Sequence, residues 1–184
     1  MMQPIHQARE SFLLEGDCLE LLPGLHVDLI LTSPPYFNHI TYGIEPPYST
    51  SAEYRDWLTS FFQLAKRSAK QILIVHQKHF EDLVGEKAKQ TILLKKFLQE
   101  YVYVYGDTLY PDKEIQTKPT RDPRHPCPFN AQMVSYLLEP FSRDTSILDP
   151  FSGIGTTVRV ARQMGFINVR CIEKNPIFSA QSSI

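Results

Sequence analysis

The sequence of 184 residues predicts an α/β fold. Short apolar runs alternate with amphipathic stretches along the chain, which is typical of strands that alternate with helices. Near the C-terminus, the pattern of strand, glycine loop, helix and second strand predicts a right-handed crossover between two parallel strands. Hydrophobic residues make up 42% of the chain, so we expect one packed domain over residues 1–184.

Apolar runs that end at turn-forming residues predict the strands of the first part. The run 12–14 ends at Glu-Gly-Asp, and the run 27–31 (VDLIL) stops at Thr-Ser-Pro-Pro. The apolar positions of residues 51–70 mostly follow helical spacing, and Ser51 is a candidate N-cap. Residues 72–75 (ILIV) predict another buried strand.

The next part combines one predicted helix, one strand and a proline-rich connection. Residues 91–99 predict a helix, and the β-branched and aromatic residues 101–105 (YVYVY) predict a strand. The proline-rich connection covers 111–128, and MVSYLLEPF predicts a short helix that ends near Pro140. The last unit is predicted as a strand at 146–148, a glycine loop at 149–155, a helix at 156–164 and a strand at 169–172.

Charge is distributed unevenly, although the formal net charge is −1. Residues 1–60 sum to −6, residues 61–125 to +4 and residues 126–184 to +1. A protein that coats DNA non-specifically would be far more basic. The middle part is open to two readings, a basic face for a polyanion or a solvated helix face around Lys87, Lys89, Lys95 and Lys96.

Cysteine usage and hydropathy restrict the class of protein. The three cysteines are widely spaced and form no CxxC pair, which excludes a disulfide framework and a zinc ribbon. No apolar run is long enough to span a membrane, and the N-terminal MMQPIHQARE lacks the apolar core of a signal peptide. We therefore expect a cytoplasmic protein that has no membrane partner.

The C-terminal unit carries the first candidate site. Asp149 ends its first predicted strand, and Gly153 and Gly155 permit a tight turn close to a ligand. Free N–H groups where the next helix begins favour an anion such as a carboxylate. Glu173 ends the second strand, where an acid typically binds the ribose hydroxyls of a nucleoside cofactor. The alternative reading is a glycine turn that only connects strand and helix.

Ser33, Pro34, Pro35 and Tyr36 form the second candidate site, directly after the VDLIL strand. The two prolines stiffen the loop, and its position is the carboxyl end of a strand, where open α/β sheets bind ligands. The loop offers a hydroxyl, a proline carbonyl and an aromatic ring, which suit the amino group of a planar base. The alternative reading is a rigid turn with a packed tyrosine.

TSPPY and DPFSGIGTT together resemble the motif pair of the DNA amino-methyltransferases, which modify cytosine N4 or adenine N6. GDCLELLPGLHVDLILTSPPY and HPCPFNAQMVSYLLEPFS are similar to that family as well, so the resemblance covers about 12–76 and 125–176. The catalytic motif comes first, as in the permuted β class. The resemblance implies a Rossmann-like methyltransferase fold with a mostly parallel, twisted, seven-stranded sheet flanked by helices, and S-adenosylmethionine (SAM) as the cofactor.

The resemblance also implies a role for each motif residue. Ser33 and the Pro34 carbonyl would accept hydrogen bonds from the target amino group, and Tyr36 would stack on a base flipped out of double-stranded DNA. No metal or covalent nucleophile is needed. The residues expected to line SAM are Asp149, Phe151, Gly153, Gly155 and Thr156 at its methionine end, Phe129 beside the methionine, Glu173 at the ribose and Asp17 at the adenine.

The sequence therefore predicts a site-specific DNA methyltransferase of a restriction–modification system. Cytosine N4 is the favoured target, because TSPPY is the variant most associated with N4 enzymes and the adenine enzymes usually carry aspartate in place of Ser33. Adenine N6 remains the close alternative. The second alternative is a truncated SAM- or DNA-binding subunit that needs a partner, since the middle of the chain is short and it ends soon after Glu173.

The expected organisation is two halves around a short connection. Residues 11–110 form the catalytic half and residues 125–184 the SAM-binding half, while residues 111–124 provide a short DNA-contact loop. The candidate phosphate contacts are Lys113, Lys118, Arg121 and Arg124. So short a loop leaves a specificity subunit or a homodimer as the open source of sequence recognition.

Overall fold

The computed structural model describes residues 13–37, 45–95, 100–118, 123 and 128–181. Within these residues, eight strands form one sheet in the order β1-β8-β7-β2-β3-β5-β4-β6. The strands are β1 Leu13–Glu15, β2 Val27–Thr32, β3 Ala69–Gln77, β4 Gln90–Lys95, β5 Glu100–Tyr105, β6 Glu114–Gln116, β7 Ile147–Asp149 and β8 Val169–Glu173. The helices are α1 Cys18–Leu21, α2 Ser51–Ser68, α3 Phe80–Val84, α4 Ala131–Leu138, α5 Thr156–Gln163 and α6 Pro176–Gln181.

Seven of the eight strands in the described residues run in one direction, and β5 runs opposite to them. Strands β1, β8, β7, β2 and β3 pair in parallel, β5 is antiparallel to both β3 and β4, and β6 is parallel to β4. The predicted α/β class and mostly parallel sheet are confirmed. The sheet has eight strands in the described residues where the family resemblance implied seven, because the three-residue β6 extends one edge.

The core lies on both faces of the sheet. Leu29 and Leu31 of β2 pack on one face with α4 and α5, whereas Ile30 packs on the other with α2. Side chains of a strand alternate between faces, so an uninterrupted apolar run such as VDLIL suits a central strand that is covered on both sides. The result is a three-layer arrangement with helices on each face.

The N-cap of helix α2 differs from the predicted one. Thr50, not Ser51, is the N-cap: its hydroxyl accepts from the Glu53 backbone N–H, and the Glu53 carboxylate accepts from the Thr50 backbone N–H. This reciprocal pair is a capping box and satisfies donors that the first turn leaves open. Ser51 is instead the first helical residue.

The predicted helix at 91–99 is wrong where the structure describes it. Residues 90–95 form β4, with Ile92 and Leu94 buried and Thr91 and Lys95 exposed. This period of two is that of a strand, and the antiparallel partner β5 supplies the hydrogen bonds. A short run of apolar residues fits either period, and the neighbouring strand decided between them. Residues 96–99 lie outside the described residues.

The lysines of the middle part therefore do not share a helix face. Lys87 and Lys89 follow α3, and Lys95 ends β4; all three are exposed. Each has an acidic neighbour, namely Glu81 for Lys87, Asp107 for Lys89 and Glu114 for Lys95. Lys96 lies outside the described residues.

The connection predicted between the two halves is partly strand. Residues 114–116 form β6, so Lys113 precedes this strand and Lys118 follows it. Arg121 and Arg124 lie outside the described residues. The other predicted strands and helices are present with ends shifted by a few residues, whereas α1, α3 and α6 were not predicted.

None of the helices in the described part of the chain combines the length and the apolar character needed to cross a lipid bilayer.

Candidate active site

The candidate site lies at the carboxyl edge of the sheet, where β2 and β7 are neighbours. From β7 the chain continues to β8 on one side, and from β2 it continues to β3 on the other. This change of direction is a topological switch point, and open α/β sheets bind ligands in the crevice outside it. The Ser-Pro-Pro-Tyr part of TSPPY follows β2 and the glycine loop follows β7, so both candidate motifs open onto the same crevice.

The Ser-Pro-Pro-Tyr loop is anchored through its tyrosine. The ring of Tyr36 is only 6% exposed, and its hydroxyl donates a 2.9 Å hydrogen bond to Oε1 of Glu100. The Ser33 hydroxyl is half-buried and lies 3.4 Å from the Tyr36 hydroxyl. Glu100 is the first residue of β5 and pairs in register with Gln77 at the end of β3. The antiparallel direction of β5 thus brings its first residue to the carboxyl edge.

The carbonyl of the second proline of the loop contacts a tyrosine, which in turn contacts a histidine. The Tyr54 hydroxyl donates to the Pro35 carbonyl at 3.1 Å and lies 2.8 Å from Nε2 of His76. Because a tyrosine has one proton, two arrangements are consistent with these distances: His76 Nε2–H donates to Tyr54 and Tyr54 donates to Pro35, or Tyr54 donates to Nε2 while His76 Nδ1–H donates to the Gln77 carbonyl at 3.4 Å. Burial lowers the pKa of His76 to about 4, so the imidazole is neutral near pH 7.

Asp149 accepts three hydrogen bonds at the start of the glycine loop. Its carboxylate is 2% exposed and accepts from the Thr32 hydroxyl at 2.6 Å, the Thr157 hydroxyl at 2.5 Å and the Phe151 backbone N–H at 3.1 Å. Burial raises the pKa of Asp149, and these donors oppose the shift. The carboxylate therefore joins β2, the loop and α5 to one another, and its predicted contact with SAM stays a prediction.

The glycine loop folds back onto Glu173. Gly153 has a φ of 53° and Gly155 a φ of 78°, the left-handed region that favours glycine. The Gly153 N–H donates to Oε2 of Glu173 at 2.7 Å, and the Asn175 N–H donates to Oε1 at 2.8 Å. A carboxylate can accept about four hydrogen bonds, which is compatible with the predicted acceptance of a ribose hydroxyl. Burial raises the pKa of Glu173.

Helix α5 starts directly at this loop. Thr156 is its first residue, and the Thr156 side chain is buried, so only backbone N–H groups of that turn are offered to an anion. Phe151 is half-buried and packs against Trp57 and Phe61 of α2, at ring-centroid distances of 5.7 and 4.8 Å. The loop is thus held between the α2 face and the start of α5.

Two of the predicted SAM contacts have structural roles of their own. Asp17 caps α1 through the Leu19 N–H at 2.9 Å and accepts from Lys174 Nζ at 2.8 Å, which brings it beside the end of β8. Phe129 packs with the apolar cluster on the face of α4 and α5, just before the Asn130 cap of α4. The structure therefore brings Asp17 to the carboxyl edge next to Glu173, whereas Phe129 contacts the apolar core.

Sequence reasoning gave no role to four residues that organise the site, namely Thr32, which opens the TSPPY motif, and Tyr54, His76 and Glu100. A usable signal existed for one of them, because an acid at the first position of the apolar strand Glu100–Tyr105 is unusual for a buried strand. The other three resemble ordinary strand or helix residues, and only their contacts reveal them.

Comparison with known families settles the class of protein. A family model described as DNA methylase, that of the N6 and N4 methylases, matches residues 76–181, more than half of the chain. The chain belongs to the N6/N4 DNA methylase family. The matched part includes the glycine loop and begins after TSPPY, so the match rests on the DPFSGIGTT region and on the sheet strands from β4 onward.

Solved structures of DNA methylases share this fold at low sequence identity. The cytosine-N4-specific PvuII DNA methyltransferase superposes with a TM-score of 0.70 at 18% identity, covering 93% of this chain and 84% of that chain. A putative DNA modification methylase from Thermus thermophilus, complexed with S-adenosyl-L-methionine, gives a TM-score of 0.68 at 19% identity, covering 92% and 90%. The complex of M1.HpyAVI with SAM gives 0.66 at 16% identity, covering 92% and 96%.

A search among curated protein sequences found no match to this DNA methylase. The methyltransferase fold predicted from the sequence is confirmed by the family and by the three superpositions.

Proposed function

We propose that this DNA methylase transfers a methyl group from S-adenosylmethionine to the N4 amino group of cytosine, as the modification enzyme of a restriction–modification system. The observation that carries the proposal is the Ser-Pro-Pro-Tyr loop at the switch point, one hydrogen bond from the glycine loop through Thr32 and Asp149. The target amino group and the methyl group of the cofactor must meet between these two loops, because transfer requires the two reacting atoms to be held in line at contact distance.

Ser33 and the Pro34 carbonyl are the proposed acceptors of the two amino hydrogens. Among the described residues, no donor contacts the Pro34 carbonyl, whereas the Pro35 carbonyl already accepts from Tyr54. Two acceptors on an exocyclic amino group draw its lone pair out of conjugation with the ring and direct it toward the incoming methyl group. The rigid prolines hold both acceptors in place before the base arrives.

Tyr36 is the proposed stacking partner of a base flipped from duplex DNA. Its hydroxyl is fixed by Glu100, and one side of the ring makes an edge contact with His76 at 4.7 Å. Because the ring is 6% exposed, a flipped base reaches it only after neighbouring side chains move aside. Pro35 completes the loop by fixing the backbone that leads into Tyr36.

S-adenosylmethionine is the cofactor, and it supplies an electrophilic methyl group. The donor set of the crevice fits its parts: backbone N–H groups at the start of α5 suit the methionine carboxylate, and the Glu173 oxygens suit ribose hydroxyls. We assign Asp149, Phe151, Gly153, Gly155 and Thr156 to the methionine end, Phe129 beside it and Asp17 to the adenine end. Two neighbours with the same fold are SAM complexes, which supports SAM as the cofactor.

Adenine N6 is the second candidate target, because the family that the chain belongs to contains both N6 and N4 methylases. Ser33 favours cytosine, since the resemblance associates an aspartate at this place with the adenine enzymes. Both amino groups present two hydrogens to the same pair of acceptors, so identification of the methylated nucleoside distinguishes the two targets.

The test is a labelling experiment on duplex DNA. The purified chain is incubated with methyl-labelled SAM and several kilobases of unmethylated duplex, which contain most short target sequences. The DNA is then digested, and the labelled nucleosides are identified by mass spectrometry. We expect N4-methylcytosine, and we expect Ser33→Ala to lose about 100-fold or more of the activity while SAM binding changes little.

Two other results would change the proposal. N6-methyladenine would keep the mechanism and overturn the cytosine assignment. SAM binding without any labelled nucleoside would favour the subunit reading, in which a specificity subunit or a second copy of the chain completes recognition. A methylation-sensitive digest of the same DNA then identifies the target sequence and tests the restriction–modification role.

A further inference from the structure

We propose that Glu100 is a positioning residue that keeps the Ser33 hydroxyl oriented as a hydrogen-bond acceptor for the target amino group; this inference rests on the proposed function. Glu100 is 4% exposed and lies at the carboxyl edge, 2.9 Å from the Tyr36 hydroxyl. No motif includes it, because it follows Tyr36 by 64 residues and belongs to the reversed strand β5.

The positions of the hydroxyl protons determine which atom donates in each hydrogen bond. The Tyr36 hydroxyl donates its single proton to the Glu100 carboxylate. The Tyr36 oxygen can then only accept from any other hydroxyl. Ser33, at 3.4 Å, is the hydroxyl beside it, and its proton therefore points toward Tyr36. The lone pairs of Ser33 remain for the amino hydrogens of the base.

The long distance between Ser33 and Tyr36 agrees with this role. Ordinary O–H···O hydrogen bonds are shorter than 3.4 Å, and catalytic hydrogen bonds are often long before substrate binds. A base that donates to Ser33 strengthens the next bond of the same chain, because aligned hydrogen bonds polarise one another. Without Glu100, the Tyr36 proton is free to point at Ser33, which would turn the Ser33 proton toward the base and repel the amino hydrogens.

The burial of Glu100 supports the same conclusion. Placing a carboxylate inside a protein is costly unless it is hydrogen-bonded, and the Tyr36 hydroxyl supplies one such bond. Glutamine has the same shape but carries an amide group that also donates. Glu100→Gln therefore removes the group that can only accept and allows the proton chain to reverse, while it preserves the volume.

The test compares three variants with the wild type in the labelling experiment. We expect Glu100→Gln and Tyr36→Phe each to lower kcat about 10- to 100-fold, with the dissociation constant of SAM within about threefold. The double variant should lose no more kcat than the more impaired of the two single variants, because both changes break the same chain of hydrogen bonds. Glu139→Gln, an exposed acid after α4, is the matched control and should keep the wild-type rate.

The results separate this inference from the proposed function. If the wild type is active and Glu100→Gln keeps its kcat, or if the two losses multiply, Glu100 does not orient Ser33. If Glu100→Gln loses SAM affinity and thermal stability together with kcat, the role is structural and the inference fails. A wild type that methylates adenine with the same dependence on Glu100 upholds the inference and overturns the cytosine target. A wild type that methylates neither base overturns both.

Discussion

The Thr32 hydroxyl donates a 2.6 Å hydrogen bond to Oδ1 of Asp149, a residue 117 positions later in the chain. Thr32 ends the strand that leads into the Ser-Pro-Pro-Tyr loop, and Asp149 ends the strand that leads into the glycine loop. One buried hydrogen bond thus connects the part proposed to grip the base with the part proposed to hold the cofactor. Its position fixes the separation of the two loops.

Thr32→Val tests this connection directly. Valine keeps the branched shape but removes the hydroxyl, so the buried Asp149 carboxylate loses one of its three described donors. We expect the free energy of unfolding to fall by about 1–3 kcal/mol in urea titrations, and SAM to bind more weakly. Thr91→Val, on the exposed side of β4, is the control and should change neither quantity. Equal stability of both variants would mean that the bond does not hold the loops.

His76 predicts a specific dependence of stability on pH. Its pKa in the folded protein is about 4 because of burial, below the ordinary value of 6.5. The unfolded chain therefore binds more protons between these values, so the contribution of neutral His76 is complete above pH 6.5 and is lost as the pH falls toward 4. The loss is on the order of 3 kcal/mol.

Two carboxylates act in the opposite direction. Burial raises the pKa values of Asp149 and Glu173, so their contributions are lost as the pH rises. The difference between wild type and His76→Gln isolates the histidine. We expect this difference in unfolding free energy to shrink from about pH 7.5 to about pH 4.5. A constant difference for His76→Gln would contradict the buried, neutral imidazole.

Glu173→Gln should weaken SAM binding. Both carboxylate oxygens accept from backbone N–H groups, of Gly153 and Asn175, and an amide would present a donor to one of them. We expect the dissociation constant of SAM in isothermal titration calorimetry to rise about 10- to 100-fold, since the loop and the proposed ribose contact are both disturbed. Glu20→Gln, an exposed acid of α1, serves as the control. Unchanged affinity would remove Glu173 from the cofactor site.

Lys118 and Lys113 form a matched pair for DNA binding. Both are exposed, but Lys118 follows β6 at the carboxyl edge of the sheet, and Lys113 precedes β6 at the opposite edge. We expect Lys118→Ala to weaken duplex binding and to reduce the salt dependence of log K by about 0.9, the value for one phosphate contact. Lys113→Ala should leave both unchanged. Equal effects of the two substitutions would show that the segment around β6 does not contact DNA at the carboxyl edge of the sheet.

The family motifs could be predicted from the sequence because their signals are local. Turn chemistry after a short apolar run identified the loop after β2, and paired glycines after an acid identified the loop after β7. The helix at residues 51–68 followed from its spacing of apolar residues, although Thr50 and not Ser51 caps it. Each of these patterns lies within a few residues, where backbone preferences and capping decide the structure.

Tertiary structure alone decided how the site is completed. Strand β4 was predicted as a helix because its apolar run fits both periods, and only pairing with β5 selected the strand. Glu100 reaches Tyr36 across 64 residues, and Asp149 reaches Thr32 across 117. The sequence by itself determined which chemical groups the loops carry, because these depend on neighbouring residues. The order and direction of the strands determined which buried partners orient those groups, because such contacts form only when distant segments pack into one sheet.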